Sequence, residues 1–163
     1  MNWSAAAFSV GLCVLVAGLE GILGGKQLPE WLRSLNQPRF YAPLPVWILS
    51  AALTYLLQGV IAYRLLAFPG SSLFPGSSLG IPTLCVLVAV MAANVAYNVV
   101  LDRTRDPRWA YRGILWFLPL LLLLQVMLHM TDQFSALLHL IYVAWVVGYD
   151  LPIMRALWKR NQS

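Results

Sequence analysis

Glu20 and Asp150 are acids set within otherwise apolar stretches, and they carry the most chemical potential in this chain. A carboxyl group in hydrocarbon is costly and marks a functional candidate: a proton relay, an ion pair or a ligand contact. Asp150 can pair with the Arg155 region or accept from Thr54 or Tyr55. His129 and His139 follow no H-x-x-x-H or H-E-x-x-H spacing and have no carboxylate placed beside them, so no metal site is expected. Haem ligation by His139 rests on residue type alone. No Gly-rich phosphate loop, nucleophile elbow or pair of catalytic carboxylates occurs, and no catalytic residue is assigned. Cys13 and Cys85 fall inside apolar stretches and read as buried reduced thiols.

Neutral polar and aromatic residues form a second set. At helical spacing Asn94, Tyr97, Asn98 and Leu101 share one face. Two amides one turn apart can join helices, at about 0.6–2 kcal/mol each, or floor a ligand site. Trp47, Ala51, Thr54, Tyr55, Gln58 and Ala62 fall within one arc of another stretch. His139, Tyr142, Val146, Tyr149 and Asp150 do so in a third, with Trp145 at the edge. Faces of this composition suit a flat, mostly apolar ligand held by stacking and oriented by a few polar contacts. They also suit a packed bundle. Trp3, Trp109, Trp116 and Trp158 read as interfacial anchors.

These faces must be carried by membrane-spanning helices. Sixty per cent of the residues are hydrophobic and 10 % charged, which excludes an ordinary soluble domain. Apolar stretches at about residues 3–25, 45–67, 80–101, 109–130 and 134–158 each suffice for the roughly 20 residues a bilayer requires. The expected fold is all-α: one five-helix membrane domain over residues 1–163. All but one of the 11 Lys and Arg then fall on one side, Arg64 being the exception. Basic residues stay cytoplasmic, so the N-terminus is expected outside and the C-terminus inside. The net charge of +5 flanks the spans, which points to topology and anionic lipid and not to nucleic acid. The first 19 residues lack a basic start and Glu20 interrupts any cleavage context, so no cleaved signal peptide is expected.

The segment from Lys26 to Leu44 holds Pro29, Trp31, Pro38, Phe40, Tyr41 and Pro43, so it is stiff and has rings to bury. A hexapeptide, Phe68-Pro69-Gly70-Ser71-Ser72-Leu73, recurs at once from Phe74 to Leu79, and reads as a turn-rich insertion without a chemical role. Pro119 should kink the fourth span. Gly11, Gly18 and Gly59 permit close helix approach, in a dimer or within the bundle.

The chain resembles the TspO/MBR family, the tryptophan-rich sensory and translocator proteins. Members carry W-Y-x-x-L-x-K-P-x-W-x-P-P in the first loop, and here stands Trp31-Leu-Arg-Ser-Leu35-Asn-Gln-Pro38-Arg-Phe40-Tyr-Ala-Pro43. The family's L-Y-x-x-M-G-x-A-x-W is similar to Thr54-Tyr55-Leu-Leu-Gln58-Gly59-Val-Ile61-Ala62-Tyr63. Its third-span Asn motif resembles Asn94-Val-Ala-Tyr97-Asn98, and its A-x-L-L-x-P-Y-x-x-W resembles Ala136 through Tyr142 to Trp145. Order and spacing agree over about residues 10–161. Ala51 stands where many members have a pocket Trp, and Ile141 replaces a Pro. Tyr149 stands at a usually small position, where it would fill pocket volume, and Ile153 at one usually Asn. The family's cholesterol-recognition segment is not reproduced in register, although Val147 to Arg155 meets the generic consensus.

The resemblance implies a bundle, commonly dimeric, with a cavity capped by the first cytoplasmic loop. Porphyrins, sterols and benzodiazepine-type compounds are family ligands, so a haem-like tetrapyrrole, lipid or sterol is the expected guest, with no required cofactor. By position Trp31, Phe40, Asn94, Tyr97, Asn98, Tyr142 and Trp145 would line or cap the cavity. Trp47 and Tyr149 join them from the helix faces above. The expected role is sensing or transport in a bacterial inner membrane or an organelle membrane. The alternatives are an accessory subunit of a larger membrane complex, such as one handling pigments, and a small transporter or enzyme using Glu20 and Asp150.

Overall fold

The computed structural model describes residues 2–23, 27–68 and 79–162, and among them every regular element is helical. In chain order these are α1 (Trp3–Leu23), α2 (Leu28–Ser34), α3 (Leu44–Ala67), α4 (Gly80–Thr104), α5 (Pro107–Thr131), α6 (Gln133–Trp145) and α7 (Leu151–Arg160). A π-helical turn, Val146–Asp150, joins α6 to α7, and the joined unit makes the last of five helices long and apolar enough to cross a membrane. The short α2 lies in the first loop. Lys26 and the hexapeptide repeat, apart from Phe68 and Leu79, lie outside the described residues.

The helix ends follow local chemistry. Pro29, Pro45 and Pro107 each lie in a first turn, where the missing N–H forfeits no helical bond. Asp106 caps α5 by accepting from the backbone N–H of Arg108 at 2.8 Å, and Asp132 caps α6 by accepting from Ser135. Arg105 ends α4 in a left-handed conformation with φ 46°. Pro119, where a local kink is expected, lies inside α5, which continues through it.

The helices are inverted relative to those of a water-soluble bundle. Ile22 and Trp116 are each 81 % exposed, and Phe8, Leu49, Leu56, Val126 and Leu137 also face outward. Hydrocarbon is the solvent that tolerates such a surface, and helices are the form that satisfies their own backbone there. The chain is therefore an integral, multi-pass membrane protein. The core is built from Ile61, Leu87, Met91, Leu121, Leu124, Leu128 and Leu157, all fully buried. Cys85 faces outward and Cys13 is half-buried, where its thiol donates to the Tyr55 carbonyl. Gly59 belongs to the bundle interior, since a Cβ there would lie 2.8 Å from Cys13 Sγ, whereas Gly11 and Gly18 open onto free space. Trp3, Trp109 and Trp116 are exposed, but Trp158 stacks on Tyr111 with centroids 5.4 Å apart.

The unpaired basic residue of the sequence, Arg64, has a partner in the fold. Its Nε and a terminal nitrogen donate to the two Asp132 oxygens at 2.6 and 2.9 Å, and its guanidinium covers the Phe134 ring at 4.6 Å. This fork ties the end of α3 to the α5–α6 turn. The Arg64 guanidinium holds the Asp132 carboxyl below its ordinary value, with Ser135 adding to the effect. A depressed carboxyl stabilises the fold above its unfolded value and loses that contribution as pH falls through the folded one. Asp132→Ala should cost about 3 kcal/mol near neutral pH. The gap between wild type and variant should shrink as pH drops below about 4, followed by helix melting in detergent.

Candidate ligand cavity

Proline and hydrogen bonds close the first loop over the bundle. Residues 35–43 leave α2 and return to α3 with Pro38 buried. The Asn36 N–H donates to Asn161 Oδ1 at 2.9 Å, which ties the loop to the end of α7. Tyr149 holds its far side: the hydroxyl accepts from the Ala42 N–H at 2.6 Å and donates to the Phe40 carbonyl at 3.0 Å. Trp47 donates its indole N–H back to the Ala42 carbonyl at 3.1 Å.

Beneath this lid lies a cavity of about 660 Å³, within the range of small-molecule sites. Every spanning helix contributes to it. Glu20 comes from α1; Trp47, Ala51, Thr54 and Tyr55 from α3; Asn94, Tyr97, Asn98 and Leu101 from α4. Ile114 and Phe117 come from α5, and Tyr142, Trp145, Val146, Asp150 and Met154 from the last span. Leu32, Arg33 and Tyr41 close it from the loop side.

The wall is aromatic. Trp47 meets Trp145 edge-on at 6.3 Å, and Tyr41 lies 5.8 Å from Trp47. Burial pushes the Tyr41 hydroxyl up to about 12, aided by Tyr149 and Asp150, so it stays a neutral donor near pH 7. Tyr97 donates its hydroxyl to the Ala110 carbonyl at 3.0 Å. That pose requires Gly113, where a Cβ would sit 2.6 Å from the ring.

The floor is polar. Glu20 accepts from the Tyr55 hydroxyl and from the Asn98 amide, which joins α1, α3 and α4 at one carboxylate. Tyr142 reaches Asn94 Oδ1 at 3.5 Å, the outer limit of a hydrogen bond. Asp150 has an enclosed Oδ1 with no partner. Tyr55 therefore serves Glu20 and not Asp150, and no ion pair joins Asp150 to Arg155 among the described residues.

The π-turn explains how Asp150 reaches the cavity together with Trp145. Five residues along an ideal α-helix lie about 140° apart. The bond from the Leu151 N–H to the Val146 carbonyl closes a wider turn and brings the two positions near one face. Pro152, lacking an N–H, directly follows.

Of the residues singled out by sequence, Trp47, Asn94, Tyr97, Asn98, Tyr142 and Trp145 line the cavity together. Trp31, Phe40 and Tyr149 do not. Trp31 packs on the core from α2, and Phe40 is 79 % exposed because its carbonyl, not its ring, faces the bundle. Tyr149 does not fill the pocket; it backs the wall, 4.6 Å from Trp145, and fastens the lid. Ala51 borders the hollow and leaves room where a Trp would project. Buried Ile153 lies in the core and exposed Ile141 on the outer face. His139 is buried away from the cavity with Nδ1 2.9 Å from Gln125 Oε1. Spacing alone did not single out Tyr41, Leu101, Phe117 or Met154 as ligand residues. The Tyr41 ring was visible in the proline-rich loop, and Leu101 lay on the Asn94 face. Phe117 and Met154 carry no signal beyond being apolar.

No curated protein sequence matches the chain. The family description TspO/MBR matches residues 9–149. Five apolar spans and a match over most of its length agree: the chain belongs to the TspO/MBR family.

Proposed function

We propose that this protein binds a flat, largely apolar ligand of the tetrapyrrole class in the cavity beneath residues 35–43, for sensing or transport. Membership of the TspO/MBR family suggests membrane ligand binding, transport or sensing. The narrower reading is carried by one observation. A hollow of about 660 Å³ is walled by Trp47, Tyr97, Tyr142 and Trp145 and floored by Asn94 and Asn98. Rings on several sides suit stacking, and a few polar groups suit orientation of a planar guest. The space left beside Ala51 favours a receptor over a purely structural subunit.

In the proposed orientation residues 35–43 and the C-terminus face the cytoplasm of a bacterial cell, or the cytosol around an organelle. The free faces of Gly11 and Gly18 on α1 favour a homodimer contact there over one at Gly59.

Protoporphyrin titrated into the purified protein should quench tryptophan fluorescence saturably. Trp145→Ala and Asn94→Ala should each weaken binding about tenfold, roughly 1.4 kcal/mol. Quenching that never saturates, or that ignores both substitutions, would overturn the proposal. Tyr149→Phe removes two hydrogen bonds from the lid, each worth about 1 kcal/mol. It should speed ligand dissociation about tenfold, read by stopped-flow recovery of fluorescence.

A further inference from the structure

Two bases lie on the outward face of α5, inside a membrane span and not in a loop. Arg108 and Arg112 belong to the span Pro107–Thr131, stand one turn apart, and are both exposed. At helical spacing they share a face with Leu115, Trp116, Leu122 and Val126, which are exposed as well. This face runs from guanidinium through indole to aliphatic side chain. A phospholipid presents phosphate, glycerol and acyl chain in the same order. The stack of Tyr111 on Trp158 holds α7 alongside α5 at this end. Arg155 and Lys159, within one turn of Trp158, are exposed there too.

Among the described residues none of these four side chains has an ion-pair or hydrogen-bond partner. Asp106 is next to Arg108 but one, yet its Oδ1 accepts from the Arg108 backbone N–H. Arg64, at the opposite end of the bundle, has Asp132 as its partner. A base on a lipid-facing surface is costly unless an anion or the headgroup layer receives it. An Arg fork matches two phosphate oxygens, and a pair of forks one turn apart can take one phosphate from both sides. No acid stands ready on this surface, among the described residues, for the ammonium of a zwitterionic headgroup.

We propose that the α5–α7 surface at the lid end of the bundle is a binding site for an anionic glycerophospholipid. Its phosphate would sit at Arg108 and Arg112, and an acyl chain would lie along Leu115, Trp116 and Leu122. The site is separate from the cavity and does not depend on what the cavity binds.

Phosphatidylglycerol and phosphatidylcholine with identical chains, titrated against the full chain in mild detergent and counted by native mass spectrometry, test this. Phosphatidylglycerol should bind at least about tenfold tighter. Arg108→Gln/Arg112→Gln should bring it down to the level of phosphatidylcholine. Arg39→Gln/Arg103→Gln removes the same charge from two other exposed bases and should leave the preference intact. Equal affinities in the wild type, a comparison that needs no variant to fold, would overturn the proposal. So would a preference that survives Arg108→Gln/Arg112→Gln, or an equal loss in both variants, which would mean a diffuse field and no site. Displacement of the lipid by excess glycerol phosphate would overturn it in favour of a site for free phosphate.

Discussion

A polar group inside hydrocarbon must find its partner within the protein, and the interior of this molecule is arranged around that requirement. Glu20 meets it by collecting Tyr55 from α3 and Asn98 from α4. Those contacts hold three spans at a fixed spacing near one membrane face. At the opposite end Arg64 and Asp132 do the same for α3 and the α5–α6 turn. Between them the core is leucine-rich and closed. The bundle is thus fastened by polar contacts at Glu20 and at Arg64–Asp132, and the hollow lies on the Glu20 side.

The lid depends on the same economy of partners. A loop over a membrane cavity must satisfy its backbone without a ladder of its own. Tyr149 serves two backbone groups of residues 40–42 with one hydroxyl, and Asn161 serves Asn36. The prolines limit what else must be satisfied. Because these fasteners lie on the last span, the lid and the cavity wall containing Trp145 belong to one mechanical unit. The Trp145 ring on the cavity wall and the Tyr149 ring that fastens the loop are therefore neighbours, with centroids 4.6 Å apart.

Two departures from the family pattern acquire physical meaning here. Loss of a Trp at Ala51 enlarges the hollow, and a bulky Tyr at position 149 fastens the loop in place of filling the pocket.

Hydropathy and charge determined the five spans and the membrane setting from sequence alone, because both are sums over long windows and tolerate local error. Helical spacing also brought Asn94, Tyr97 and Asn98 to one face, because an unbroken α-helix keeps its period through α4. What sequence could not decide was which faces meet, and where the period breaks. The π-turn at Val146–Asp150 interrupts the helical period within that face: Tyr142, Trp145, Val146 and Asp150 line the cavity, and Tyr149 does not. Phe40 and Tyr149 likewise changed roles, from pocket rings to a carbonyl and a hydroxyl in the lid. Loop direction and helix rotation are set by partners distant in the chain, such as Tyr149 and Ala42 or Glu20 and Asn98, so only the assembled bundle decides them.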